Sequence, residues 1–351
     1  MKSKVSSVDF AARYDLKRCL KSDFLFPLFA FLFLSTATVL ACLQNKDAQT
    51  KAVYILFESD GLFYYLTPIY QCIMMVIGVF TGIKAFSFLT SVKKTNVYLS
   101  VGITRMQLVR NRMVSCILYL FAAVFAPMLL NTILNAAFYS VTIGLIKAQL
   151  YYGFALFADL LLGFAIAAVI TVSVGNVVEA LVFSGILCAA PTVLFFCLQI
   201  LMMNFVNGSA FAFNRHSAML FEQTAINWIT DFPDYNPLLF LCGKTEYAAL
   251  EAERAVEGIP SSFVLPVLCW LIVGCALLAL VPVLVKKRKA EDAGRFGMNK
   301  GTVVLTGGLG ALAAFSLPSL LVRSGLHRFA VTAIGTVLAL SLIHISEPTR
   351  L

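Results

Sequence analysis

Long uncharged stretches, separated by short charged segments, are the dominant pattern of this chain. A helix that crosses a bilayer needs about 20 consecutive, mostly apolar residues. Six uncharged runs of 22 to 35 residues meet this requirement, and a further apolar segment, 148–178, is interrupted only by Asp159. The pattern therefore predicts seven complete spans, at 24–44, 62–84, 114–139, 150–174, 180–203, 263–285 and 301–322. An eighth span begins near Phe329.

The composition narrows the class of protein. Of the 351 residues, 60% are hydrophobic and 13% are charged, whereas soluble proteins contain about 45–50% apolar and about 25% charged residues. These values exclude a soluble enzyme, a disordered chain and a secreted disulfide scaffold. The nine cysteines form no CxxC pair, so we expect them to be small buried hydrophobic side chains. We predict an all-α, polytopic helical membrane protein.

The positions of Lys and Arg predict the orientation. The formal net charge is +9, which in a chain this apolar indicates cytoplasmic loops rather than a nucleic-acid surface. With the N-terminus in the cytoplasm, the inner segments carry eighteen Lys and Arg residues and the outer segments carry eight. We therefore expect a multi-pass protein of the plasma membrane with a cytoplasmic N-terminus. Its outer loop at 204–262 has seven acidic and three basic residues.

Two basic segments also keep apolar side chains. Residues 1–23 carry an apolar stripe at near-helical spacing. This spacing predicts a short entry helix that lies on the cytoplasmic face of the membrane and contacts lipid. Residues 84–113 contain six bases and no acid, yet they retain many large apolar groups. This combination predicts a short amphipathic helix that docks on the lipid surface or in a protein groove, and the composition leaves both partners open.

The stretch 93–112 resembles a known family. Its Asn-x-Tyr-x-Ser and Ile-Thr-Arg-x-Gln-Leu patterns are similar to the cytoplasmic loop of bacterial type-2 ABC exporter permeases, although Val101–Gly102 stand where the family has Leu-Pro. Three further segments agree with the same family. Leu16-Lys17-Arg18 resembles its entry helix, Val174-Gly175-Asn176 resembles its tight cytoplasmic turn, and Lys286–Gly294 resembles the basic segment after span six of its long Firmicutes members. The resemblance covers about residues 10–339.

This resemblance implies a six-helix permease unit at 24–285, a basic cytoplasmic linker at 286–300 and the start of a further membrane region at 301–339. It implies that the cytoplasmic loop at 85–113 couples the permease to a separate, dimeric ABC ATPase subunit. It leaves open whether a second permease half or a second copy is also a partner. The residues that match the coupling motif are Asn96, Tyr98, Leu99, Ser100, Ile103, Thr104, Arg105 and Leu108.

The sequence contains no GxxxxGK[ST], HExxH or GxSxG pattern. We therefore expect no catalytic residue, metal or cofactor in this chain, and ATP hydrolysis by the partner subunit. A secondary transporter or channel without an ATPase is the alternative function. Ion coupling would need several paired charges inside the membrane. Only Asp159 lies deep in a predicted span, with Lys84 and Glu179 at span ends.

Asp159 is expected to face protein or water rather than lipid, because a charge at the centre of a bilayer costs about 2.5–3.5 kcal/mol on insertion scales. Counting residues from the outer surface puts Asn131 of the third span and Asp159 of the fourth span at similar depths. Asn135 lies one turn above Asn131. We predict a polar cluster of these three side chains, which either holds the two helices together or lines the substrate route.

The C-terminal segment Leu340–Arg350 has the sequence LSLIHISEPTR, which resembles a translated transposase-type sequencing adapter. A match over eleven residues is very improbable by chance. We therefore interpret 340–351 as a non-native tail and expect the native sequence to continue differently after Ala339. On this interpretation the eighth span is truncated, and His344, which lies in the tail, is not a candidate functional residue.

Overall fold

The computed structural model describes residues 17, 20–21, 23–44, 62–93, 95, 104–138, 143–205, 261–288, 293–294 and 307–308. These residues contain no strand, and their long elements are six α-helices: α1 (Leu25–Gln44), α2 (Leu62–Phe86), α3 (Arg105–Phe138), α4 (Ile143–Ser173), α5 (Val177–Phe205) and α6 (Ser261–Lys287). A 3-10 turn, Ser87–Leu89, follows α2. The predicted all-α class is therefore confirmed for the described part of the chain.

Four of the helices are long and apolar enough to cross a membrane. The apolar portion of α2 continues through the 3-10 turn and is Gln71–Leu89. Those of α3, α4 and α6 are Arg105–Leu134, Leu150–Ser173 and Val267–Lys287. These match four predicted spans, and the chain is compatible with a membrane protein. The described apolar portions of α1 and α5, Leu25–Thr36 and Val177–Pro191, are shorter. The count of six crossings stays a prediction, and apart from 307–308 the predicted spans after 300 lie outside the described residues.

The chain divides into two units. The first contains Met1–Gly185 and Phe240–Met298, and the second contains Ile186–Leu239 and Asn299–Leu351. All contacts discussed below belong to the first unit. Of the second, the structure describes only 186–205, the later part of α5, and residues 307–308.

Helix α4 lies at the centre of the first unit. It packs against α2, α3 and α6, while α1 packs against α2 and α3. Most side chains of α4 are buried, as expected of a helix that is apolar all round and enclosed by others. By contrast, α6 exposes Leu265, Leu268 and Ile272. Their spacing places these three side chains on one face, which suits contact with lipid.

Glycines bring α2 and α4 into backbone contact. A Cβ atom added to Gly82 would lie 2.7 Å from the carbonyl oxygen of Phe164, and one added to Gly78 or Gly163 would overlap a carbonyl oxygen of the facing helix. Only residues without a side chain permit this separation. Because Gly78 faces Leu160–Phe164 and Gly82 faces the next turn of α4, the two helices run parallel. We call this contact the glycine seam.

Two helices begin about two turns or more before the predicted spans. Helix α3 starts at Arg105, so residues 105–113 are its first turns and do not belong to the predicted loop at 85–113. Thr104 and Gln107 explain this start, because each side chain accepts a hydrogen bond at 3.3 Å from the other residue's backbone N–H, an arrangement that closes a helix N-terminus. Helix α4 begins at Ile143, about two turns before the predicted position.

Candidate functional site at the basic end of the bundle

Five helix ends meet at one end of the bundle. Arg288, just after α6, contacts the last residues of α4 and the turn that follows α2. Arg112, in the second turn of α3, contacts the end of α2 and Asp23, which precedes α1. We call this group of contacts the polar junction. By the distribution of Lys and Arg, it lies at the end that we predict to be cytoplasmic.

Arg288 joins several helix ends through its guanidinium. Its Nη1 donates to the carbonyl oxygen of Thr171 at 2.9 Å and also to that of Val172, and its Nη2 donates to the carbonyl oxygen of Leu89 at 2.8 Å. The last carbonyls of a helix have no partner within the helix, and a buried cation is well suited to satisfy them. The carbonyl oxygen of Arg288 in turn accepts a hydrogen bond of 2.9 Å from Nη1 of Arg105.

Arg112 makes the second connection. Its Nη1 donates to the carbonyl oxygen of Ala85 at 3.1 Å and lies 3.9 Å from Oδ1 of Asp23. The guanidinium stacks over the ring of Phe88, 4.8 Å from its centroid. Ser115 donates to the other carboxylate oxygen of Asp23 at 3.2 Å. Since Asp23 and Arg112 are both buried, this ion pair fixes the start of α1 against α2 and α3.

The predicted tight turn at 174–176 is present between α4 and α5. Asn176 caps α5, because its Oδ1 accepts a hydrogen bond of 3.1 Å from the N–H of Val178. The carbonyl oxygen of Gly175 accepts a hydrogen bond of 2.9 Å from the N–H of Gly294. Gly294 has φ of 81°, a conformation that favours glycine. The chain after α6 thus returns to the turn after α4.

Most of the predicted coupling residues lie outside the described residues, namely Asn96, Tyr98, Leu99, Ser100 and Ile103. Thr104 and Arg105 are exposed, and both stand at the edge of the polar junction. Leu108 is a correction to the prediction. It is 4% exposed and packs in the core of the bundle, so it is not available to a partner subunit. The earlier start of α3 explains this, because Leu108 occupies an inward-facing position of a regular helix.

Asp159, which we expected to face protein or water, is buried, and the described residues show no asparagine bonded to its carboxylate. Its side chain is 1% exposed, and neither carboxylate oxygen has a hydrogen-bond partner among the described residues. Cys72 of α2 lies about one turn from the level of Asp159. Asn131 is half-buried on α3, and the side chain of Asn135 lies outside the described residues.

The register of α3 against α4 separates Asp159 from Asn131. The rings of Phe121 and Phe157 are 5.7 Å apart, and those of Phe125 and Phe154 are 5.2 Å apart. In this antiparallel pair, Asn131 lies about ten residues, or about 15 Å along the helix axis, from the level of Asp159. The sequence placed Asn131 and Asp159 at similar depths only because the fourth span was expected to begin at about residue 150, whereas α4 begins at Ile143.

No family model, no curated protein and no solved structure matches the chain, so the comparisons with known proteins assign it to no family. Among the described residues, no group of three His, Cys, Asp or Glu side chains could hold a metal ion. The roles of Arg288 and Arg112 were not predicted from the sequence. A usable signal was present for Arg288, a basic residue just after an apolar run, where helix carbonyls need donors. Arg112 precedes an apolar run, and the carbonyl it contacts belongs to another helix, so its role had no such signal.

Proposed function

We propose that this chain is the membrane-spanning permease subunit of an ATP-driven, ABC-type exporter, with its polar junction on the cytoplasmic side of the plasma membrane. The observation that carries the proposal is the anchoring of the segment 96–103 at both ends. Before it, Thr95 Oγ1 donates to the carbonyl oxygen of Phe88 at 2.8 Å. After it, Arg105 is bonded to Arg288. A short, mostly apolar segment that is flanked by basic residues and held in this way is suited to transmit force.

The mechanism we propose is mechanical. A partner ATPase binds ATP, its dimer closes, and the motion displaces 96–105. Because Thr95 and Arg105 connect to the ends of α2, α3, α4 and α6 through the polar junction, those helix ends move together. The bundle then shifts toward an outward-open state. The partner biases the two states only by contacting the segment differently in each of them.

The chemistry of the segment indicates the surface that would receive it. Tyr98, Leu99 and Ile103 suit an apolar groove, and the exposed guanidinium of Arg105 suits an acidic rim. Since Leu108 is buried within the bundle, we place the coupling surface at 96–105 rather than at 93–112.

The test is a double variant, Leu99→Asp with Ile103→Asp, in the full chain. Two carboxylates in an apolar groove should abolish association with the ATPase while membrane insertion is retained. The matched control is Lys286→Gln with Lys287→Gln, which changes the net charge by the same amount at exposed positions at the end of α6. Each tagged chain is purified from membranes of its source, and the eluate is assayed for ATP hydrolysis.

We expect ATPase activity to co-purify with the control and to be lost with the double variant. Equal recovery from both variants would contradict the coupling role of 96–105. Transport by the purified chain without any ATPase would instead favour the alternative, a secondary transporter or channel.

A further inference from the structure

A second site lies within the predicted membrane region, on the glycine seam. Asp159 of α4 is level with about residue 75 of α2, given that Gly78 faces Leu160–Phe164 in this parallel pair. Gln71 and Cys72 occupy the turn of α2 next to that level, and Gln71 is fully buried. Asp159 therefore stands between two closely packed helices, 1% exposed and with no described hydrogen-bond donor on either oxygen.

The ionised form of Asp159 is poorly accommodated at this position. A carboxylate withdrawn from water needs a cation or several hydrogen-bond donors to offset its lost hydration. Near the level of Asp159, the described titratable side chains of α2 and α6 are Cys72, Cys269 and Cys275. The ring contacts place Asp159 level with about residue 120 of α3, and the titratable side chains next to that level are Cys116 and Tyr119. None of these groups supplies a positive charge.

The glycine seam also limits what can bind. The backbones of α2 and α4 touch at Gly78 and at Gly163, one turn from Asp159. A hydrated metal ion or the ammonium group of a substrate would need the two helices to separate. A proton needs no space beyond the carboxyl group itself. A proton is therefore the ligand that Asp159 can bind while α2 and α4 stay packed together.

We propose that Asp159 is a proton-binding site and that release of its proton is linked to separation of α2 from α4. In the packed state Asp159 is neutral and the glycine seam is closed. In the ionised state the carboxylate requires water, which reaches it only when the seam opens. Proton release therefore favours the open seam, and closure favours proton uptake. This inference does not depend on the ATPase partner.

Cys72 is exposed on α2 about one turn from the level of Asp159, so its labelling rate reports water that enters the membrane region beside the seam. We compare a chain that keeps only Cys72 with one that keeps only Cys275, an exposed residue of α6 outside the seam. Both are reconstituted in liposomes and labelled with a water-soluble thiol reagent. The ratio of their rates cancels the general effect of pH on thiols. An ionised Asp159 would by itself slow the formation of the Cys72 thiolate, so an increase in the ratio reports access of water.

We expect the Cys72 to Cys275 ratio to rise about tenfold or more between about pH 5 and about pH 9. Asp159→Asn, which is neutral at every pH and similar in size, should hold the ratio constant. A flat ratio in the chain with native Asp159, or an equal rise in Asp159→Asn, would overturn the proposal.

A second measurement uses the unmodified full chain and needs no variant. A hydrophobic carbodiimide reacts with protonated carboxyl groups within membranes, and peptide mass spectrometry locates the adduct. We expect modification of Asp159 at low pH that falls as pH rises. Failure to modify Asp159 at low pH, in a digest where the Asp159 peptide is recovered, would contradict the protonated state.

Discussion

At the scale of single residues, the guanidinium of Arg288 makes several of the hydrogen bonds that form the polar junction. It satisfies carbonyl oxygens at the end of α4 and in the turn after α2, while its own carbonyl holds Arg105. A lysine in its place would keep the charge but not the planar fork of donors. The carbonyls of Thr171 and Leu89 could then no longer both be reached from one side chain.

We therefore predict that Arg288→Lys lowers the free energy of unfolding by about 2–4 kcal/mol, because two buried charge-assisted hydrogen bonds are lost. Lys287→Arg, at the exposed neighbouring position, should leave stability unchanged. Thermal unfolding of the purified protein in detergent measures both. Equal midpoints for Arg288→Lys and the parent chain would show that the polar junction does not depend on this side chain.

The burial of Asp159 was predictable, and its environment was not. The cost of an ionised group in lipid indicated a side chain that faces protein, and it is buried. Pairing it with Asn131 required the register of α3 against α4, which depends on where α4 begins. The apolar residues before Leu150 extend α4 back to Ile143, and this shift separates the two side chains by about three turns.

At the scale of helices, the fit of α2 against α4 depends on the absence of side chains at the glycine seam. Gly78→Ala places a methyl group against the carbonyl oxygen of Leu160. We predict a loss of about 1–3 kcal/mol in stability, since backbone atoms on both sides must move apart. Thermal unfolding in detergent is again the measurement.

Gly185→Ala on α5 is the matched control, because a Cβ atom there meets nothing within 4 Å. Alanine has the higher helix propensity, so this variant should be neutral or more stable by up to about 1 kcal/mol. If both alanine variants behave alike, close packing at Gly78 is not a determinant of the fold.

Helix existence followed from the uncharged runs, but helix ends did not. Charge marks the limit of the hydrocarbon, whereas a helix continues until its backbone groups find other partners. The Thr-x-x-Gln spacing of Thr104 and Gln107 is a recognisable start signal for α3. With that start, Leu108 would have been assigned to the core and the coupling surface would have been shortened accordingly.

At the scale of the whole molecule, orientation is tested by two native cysteines. Cys19 lies in the predicted cytoplasmic segment 1–23, and Cys242 lies in the predicted outer loop 204–262. In intact cells, a membrane-impermeant thiol reagent should label a chain that keeps only Cys242 and spare one that keeps only Cys19. The reverse pattern would invert the topology and place the polar junction outside.

Docking of 96–105 on an ATPase subunit is best tested by site-specific photo-crosslinking in the living source cell. A photoreactive phenylalanine analogue replaces Leu99 or Ile103, and in the control it replaces Ile272, which is exposed on α6. We expect positions 99 and 103 to give an adduct between the chain and a protein that carries a GxxxxGK[ST] motif, and position 272 to give none. Absence of that adduct from both loop positions, or an equal yield from position 272, would contradict the docking of 96–105.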